Sequence, residues 1–354
     1  MLDQAVELLK RMISIPSFSR EEEFLANFFE KHCRELGLAP RRHQNNVWML
    51  NTHFDPEKQT ILLNSHIDTV KPSSAYTRDP FGAVVEDGKL FGLGSNDAGG
   101  CVVSLLTVFN YFKDRQDLAF NLVFAATAEE EISGTNGIES LLPHFAKDVG
   151  TIMGAIVGEP TSMQMAVAEK GLLVLDCRSE GRSGHAAREE GDNAIYKALN
   201  DITWFRDYRF DQTSTLLGPN KMSVTIVNAG TQHNVVPREC TFTVDVRINE
   251  LYDFESVLSQ IRSNVKCEVK PRSTRIKSTS ISMDHPLVKA GLALGRPHYG
   301  SPTTSDKALM PFPALKIGPG DSARSHTADE YIFIDQIKEG IELYTALLEK
   351  VLTP

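Results

Sequence analysis

The stretch ILLNSHIDTV, residues 61–70, carries three aliphatic residues through what must be a core and then delivers His66 and Asp68, one residue apart. Side chains two apart along a strand point the same way, so Asp68 can accept one ring N–H of His66 and leave the other nitrogen for a metal ion. Other apolar runs end in a similar manner. Leu122–Thr127 is followed by Glu129, Glu130 and Glu131, and Ala155–Val157 by Glu159. Ala314–Ile317 leads through GPG to SARSHTADE and His326, while Asp97 sits in the glycine loop GLGSNDAGG.

Taken singly, each has an ordinary explanation. A strand-end histidine is usually a hydrogen-bonded structural residue, and a glutamate run usually lies in solvent or opens a helix. Converging carboxylates would repel one another and their pKa values would rise, unless cations were shared among them. Two divalent ions meet that need: His66 and Glu159 hold one, Glu130 and His326 the other, and Asp97 bridges. Three carboxylates then offset all but about one unit of the metal charge, which leaves room for a hydroxide. Imidazole with carboxylate suits zinc, with cobalt or manganese as replacements. Such a pair, about 3.5–4 Å apart, shares a water, lowers its pKa and polarises a carbonyl. At the strand end the side chains of Glu129 and Glu130 diverge, so Glu129 is assigned as general base. Glu131 is left facing solvent.

The supporting elements follow from the apolar pattern. Ser19, with Glu22 three residues on, reads as a capping box opening a helix that bears Phe24, Leu25, Phe28, Phe29 and Leu36. Cys101–Phe112 is long and apolar enough for a buried helix, and Gly137–Phe145 is a second candidate. Near-continuous apolar strands alternating with helices predict an α/β domain with a mixed, mostly parallel sheet and helices on both faces. In such sheets ligands bind at the carboxyl ends of the strands, which is where the polar residues fall. The middle third differs. Strands at Leu172–Arg178, Met222–Asn228, Thr241–Ile248 and Cys267–Lys270, with helices at Asp192–Arg206 and Tyr252–Val265, give the order β-α-β-β-α-β. This is a ferredoxin-like α+β domain at 169–280, inserted into a larger domain made of 1–168 and 281–354.

With 354 residues, two domains are expected. A net charge of −9 argues against nucleic acid as a partner. No apolar run reaches the roughly 18–20 residues of a membrane span, and MLDQAVELLKRM lacks the pattern of a signal peptide. Five scattered cysteines with no C-x-x-C pair suit a reduced, cytoplasmic protein.

NSHIDTV, GLGSNDAGG, the EEE run, GEPTS and GPG…SHTADE together resemble the acetylornithine deacetylase and succinyl-diaminopimelate desuccinylase family of co-catalytic two-zinc metallopeptidases and deacylases. The resemblance spans nearly the whole chain. It implies a two-zinc hydrolase whose inserted domain serves as a dimerisation lid, and so a homodimer. It places His185 of GRSGHAA as the residue that stabilises the oxyanion in a partner subunit's site, Asn234 of TQHNVVP at the substrate, and Arg247 of DVR at a substrate carboxylate. By length, insert and the AEKG that opens it, the chain is most similar to the deacetylase branch. That similarity implies removal of an acetyl group from an N-acyl amino acid such as N-acetylornithine, in arginine biosynthesis. Removal of a succinyl group, and di- or tripeptidase or carboxypeptidase activity, stay open.

Overall fold

A computed structural model describes residues 1–353, which form two compact units. The first comprises Met1–Val167, Ser280–Tyr299 and the chain from Ser305 onward; the second comprises Ala168–Thr279 and Gly300–Thr304. The chain passes between the units at 167/168 and 279/280, and the short 300–304 segment joins the second unit.

The strands in chain order are β1 (Arg41–His43), β2 (Asn46–Leu50), β3 (Thr60–His66), β4 (Val84–Glu86), β5 (Lys89–Phe91), β6 (Asn121–Thr127), β7 (Ile152–Val157), β8 (Met165–Glu169), β9 (Gly171–Glu180), β10 (Lys221–Ala229), β11 (Glu239–Ile248), β12 (Glu268–Pro271), β13 (Thr279–Ser280), β14 (His298–Ser301), β15 (Ala314–Lys316) and β16 (Tyr331–Phe333). The α-helices are α1 (Leu2–Ile13), α2 (Glu23–Glu35), α3 (Gly100–Phe112), α4 (Ile138–Val149), α5 (Ala194–Asp207), α6 (Phe254–Asn264), α7 (Pro286–Ala293) and α8 (Ile334–Leu352). No helix among the described residues is long and apolar enough to cross a membrane.

The main sheet of the first unit runs β1-β2-β6-β3-β7-β15-β8. Its centre is parallel, through β6/β3, β3/β7 and β7/β15, while β2/β6 and β15/β8 are antiparallel. The strand sequences explain why both faces are covered. Ile61 and Leu63 of β3 join one core with Leu9 of α1, Phe109 of α3 and Leu348 of α8. Leu62, pointing the other way, joins a second core with Trp48, Val123 and Phe145 of α4. Each such side chain, fully removed from water, contributes about 1.5–3 kcal/mol. α3 is apolar nearly all round because it lies between the sheet and helices α1 and α8. A small three-stranded sheet, β16-β5-β4, stands apart from the main one.

In the second unit β10-β11-β9-β12 form one antiparallel sheet. Phe242, Val244, Val246 and Ile248 of β11 face a core shared with α5 and α6. The opposite face is polar: Asp176 of β9 accepts two bonds from Arg272, at 2.8 and 2.9 Å.

The Ser19–Glu22 capping box does not form. α2 begins at Glu23 without a side-chain cap. The Ser19 hydroxyl donates instead to Asp68 Oδ2 at 2.7 Å, and Glu22, wholly buried, accepts from the backbone N–H groups of Arg20 (2.6 Å) and Glu129 (3.2 Å) and from the Asn45 amide (3.0 Å). Both side chains are drawn inward because the carboxyl edge of the sheet offers stronger partners than one helix turn.

Candidate metal centre

His66, the last residue of β3, and Glu159, two residues past β7, reach the same sheet edge from adjacent strands. His66 Nε2 lies 3.3 Å from Asp97 Oδ1, 3.9 Å from Glu130 Oε2 and 3.9 Å from Glu159 Oε1. Asp97 turns its second oxygen towards His326 Nε2, 3.8 Å away, and that nitrogen bonds Glu131 Oε2 at 2.8 Å. One carboxylate thus faces two imidazoles. Donor atoms of His66, Asp97 and Glu131 lie within 4.8 Å of one another, as do those of His66, Glu130 and Glu159.

The glutamate run is displaced by one residue from the sequence reading. Glu131, expected in solvent, has a buried side chain on His326, so it and not Glu130 pairs with that histidine. Glu129, expected as base, is turned away: its carboxylate accepts from the backbone N–H (3.2 Å) and side-chain amide (2.8 Å) of Asn136. The cause is the backbone. Glu129 adopts φ +57°, so the chain leaves β6 in a left-handed turn and strand alternation stops there. Gly134 makes room for the displaced side chain, because a Cβ at that position would lie 2.0 Å from Glu129 Oε2.

Asp68 does more than its expected support of His66. His66 Nδ1 lies 2.9 Å from the main-chain oxygen of Asp68 and 3.5 Å from its carboxylate. That carboxylate caps the glutamate turn, accepting from the N–H groups of Glu130 (3.0 Å) and Glu131 (3.1 Å). It holds the ring through its carbonyl and its carboxylate, and the glutamate turn through that same carboxylate. Two more buried acids were not singled out from sequence. Asp306 accepts from the Thr127 hydroxyl at 2.7 Å, and burial pushes it up to about 6. Glu330 accepts from the backbone N–H groups of Gly94 (3.0 Å), Asn96 (2.8 Å) and Asp97 (2.9 Å), and burial together with the Asp97 charge pushes it up to about 8. Only the spacing SHTADE, which sets a carboxylate four residues after His326, hinted at Glu330.

The electrostatics of the cluster favour bound cations. Burial, then the Glu159 charge, raises Glu130 well above the carboxylate range. Burial also raises Glu131, although its bond to His326 opposes this. Burial disfavours a charged His66, yet the bonds to Asp68 and Asp97 and the charges of Glu130 and Glu159 lift it well above an ordinary histidine. The Glu131 bond lifts His326 to about 9. A set of carboxylates this dense, with only two imidazoles for company, is a donor set built for cations. The residues present therefore fit two divalent ions.

His185, Asn234 and Arg247 belong to the second unit. His185 and Asn234 sit on paired segments, through the His185–Val235 bridge and the 3.0 Å bond from Ala186 N–H to the Asn234 carbonyl, and both are exposed. Arg247 is already forked onto Asp245, at 2.8 and 3.0 Å, with a third bond to Thr304 at 3.2 Å.

A parallel-centred α/β unit with carboxylates and imidazoles at its strand ends, joined to a ferredoxin-like insert, defines a metallohydrolase architecture. The chain belongs to the peptidase family M20/M25/M40, whose model matches residues 62–350. Acetylornithine deacetylase of Proteus mirabilis is 27% identical over 97% of this chain and 96% of its own. Succinyl-diaminopimelate desuccinylase of Stenotrophomonas maltophilia is 26% identical over 99% of each. Among solved structures, a metallo-carboxypeptidase of Sulfolobus solfataricus superposes with a TM-score of 0.79, at 16% identity over 98% of this chain and 99% of that one. A dinuclear metal-binding peptidase of Bacillus subtilis gives 0.71, at 15% identity over 99% and 98%. As a member of this family the chain is a metal-binding amide hydrolase.

Proposed function

We propose that the chain removes the acyl group from an N-acylated amino acid, N-acetylornithine being the first candidate, with two zinc ions at the strand ends. The observation that carries the two-ion reading is Asp97, whose oxygens face His66 on one side and His326 on the other. His66 and Glu159 serve the first ion, Glu131 and His326 the second, and Asp97 both. Bound there, the ions would supply an acidified water and polarise the scissile carbonyl.

The chain's own residues do the rest. Glu130 belongs to neither pair, and its carboxyl lies near His66 with its pKa raised by burial. It is placed to take the proton from the attacking water and hand it to the leaving amine nitrogen. Asp68 holds the Glu130 and Glu131 amides and so keeps base and ligand in register. In this reading His185 and Asn234 stabilise the oxyanion and contact substrate, and Arg247 meets the substrate carboxylate once Asp245 yields the fork. Exposure of His185 and Asn234 in the single chain suits residues that serve a second copy.

A homodimer joined through the insert is part of the proposal. β10 is the edge of its sheet and carries exposed Ile226 (49%) and Val227 (53%), and neighbouring α5 exposes Tyr196 (68%) and Leu199 (56%). An unpaired edge with apolar side chains is a template for a second strand. Ile226→Asp combined with Val227→Asp is expected to convert the protein to monomer in light scattering behind gel filtration. A double variant that stays dimeric removes this interface. We also take the protein to be cytoplasmic, on its cysteine usage.

The acyl group is decided by kinetics. The desuccinylase relative matches as fully as the deacetylase, so a succinyl substrate is the second reading. N-acetylornithine is expected to exceed succinylornithine, succinyl-diaminopimelate and di- and tripeptides in kcat/KM by at least about tenfold, a preference of about 1.4 kcal/mol. Faster release of a residue from peptides would move the assignment to a peptidase.

A further inference from the structure

Asp97 and His326 arrive from segments more than two hundred residues apart in the chain, yet their facing atoms must keep a fixed separation to share an ion. The segments are fastened side by side. β16 pairs with β5 in antiparallel register, Tyr331 opposite Phe91 and Ile332 opposite Leu90. The ladder continues past the strand ends in the bond from Gly92 N–H to the Glu330 carbonyl, 2.9 Å. Beyond that point no strand pairing among the described residues holds the Asp97 loop. The Asn96 side chain ties it to Asp321, donating to the Asp321 carbonyl at 3.0 Å and accepting the Asp321 N–H at 2.9 Å, and one further side chain gathers its backbone amides. The Glu330 carboxylate, 2% exposed, takes the N–H of Gly94 on Oε2 and those of Asn96 and Asp97 on Oε1. On the other strand-side of the same segment, Asp329 accepts from the backbone N–H groups of Thr77 and Arg78, at 2.9 and 3.0 Å. The segment carrying His326 is thus pinned on its outer side by Asp329, and through Glu330 it pins the Asp97 loop in turn.

We propose that Glu330 is a positioning residue for the second ion: it clamps the Asp97 loop to the His326 segment and so sets the separation of those two donors. This rests on the two-ion reading above. The first ion's own donors, His66 and Glu159, stand on β3 and beyond β7, which are paired to each other in the main sheet and owe nothing to Glu330. The clamp therefore acts unequally on the two sites. A carboxylate is required because all three partners donate. In Glu330→Gln the amide oxygen can still serve Asn96 and Asp97, but its NH2 group meets the Gly94 N–H donor to donor.

Metal-free wild type, Glu330→Gln, Glu330→Asp and Phe333→Ala are titrated with cobalt(II), followed by calorimetry and by the visible absorption of the bound ion. His326→Ala identifies which constant belongs to which site. Outer partners of metal ligands are worth about 10–100-fold in affinity. Glu330→Gln is expected to weaken the His326-side constant about tenfold or more and to leave the His66-side constant within about threefold. Its cobalt spectrum shifts only on the second addition, and saturating metal restores most of kcat. Glu330→Asp, one methylene short, is expected to lose at least as much. Phe333→Ala loosens β16 without touching the carboxylate and is expected to change neither constant appreciably. An unchanged second constant in Glu330→Gln overturns the proposal, as does equal weakening at both sites or an equal effect from Phe333→Ala. A wild type that takes up fewer than two ions overturns the two-ion reading itself, and this inference with it.

Discussion

Glu130→Gln is expected to lower kcat by about 10²–10⁴-fold while two metal ions remain bound, as befits loss of a proton carrier. Glu129→Gln is expected to stay within a few-fold of wild type. The amide replacement keeps the size of each side chain, so the comparison isolates proton transfer from packing. The prediction rests on the turn at Glu129, which sends that carboxylate to Asn136 and brings the next two side chains to the metal centre. Metal content by mass spectrometry and steady-state rates together decide it. A larger loss in Glu129→Gln, with Glu130→Gln active, would return the base to the first glutamate of the run.

Asp97→Asn is expected to abolish turnover and to cut the stabilisation that metal confers. Ligand at about 1,000 times its Kd stabilises the folded state by about 4 kcal/mol. In a unit of this size each kcal/mol moves the midpoint by roughly 2–4 °C, so wild type should melt roughly 8–16 °C higher with zinc than with chelator. Asparagine keeps the shape but offers a neutral oxygen on one side and a donor on the other. It can satisfy one imidazole's ion at most. The variant should therefore show a clearly smaller zinc-dependent shift than wild type, and bind at most one ion in calorimetry. Retention of two ions and of the full thermal shift would mean that Asp97 does not bridge.

The gathering of His66 and Glu159 at one sheet edge could be read in the sequence because the physics there is local. An apolar run must be a strand, its end must reach the sheet edge, and a histidine or carboxylate just past it has nowhere else to point. His66 and Glu159 follow that rule. The ferredoxin-like insert could be read for a similar reason, since Phe242, Val244, Val246 and Ile248 alternate strictly and are all buried. The rule fails where backbone conformation, and not side-chain pattern, sets direction. Nothing in AEEEIS marks Glu129 as left-handed, and that single dihedral shifts every assignment in the run by one. Ser19 and Glu22 matched a local motif, yet long-range partners took both side chains. Glu330 and Asp306 stayed hidden because each answers to groups distant in sequence: backbone amides near residue 97 for one, the Thr127 hydroxyl for the other.

The place of β15 between β7 and β8 bears on how the protein is made. Both neighbours leave the ribosome well over a hundred residues before Ala314 does. Until then the place between them stands open. The insert can complete its own sheet during that wait, whereas the larger unit cannot. Its window of greatest exposure to aggregation and to chaperones spans the translation of the entire insert, and it closes only once Ala314–Lys316 have been made.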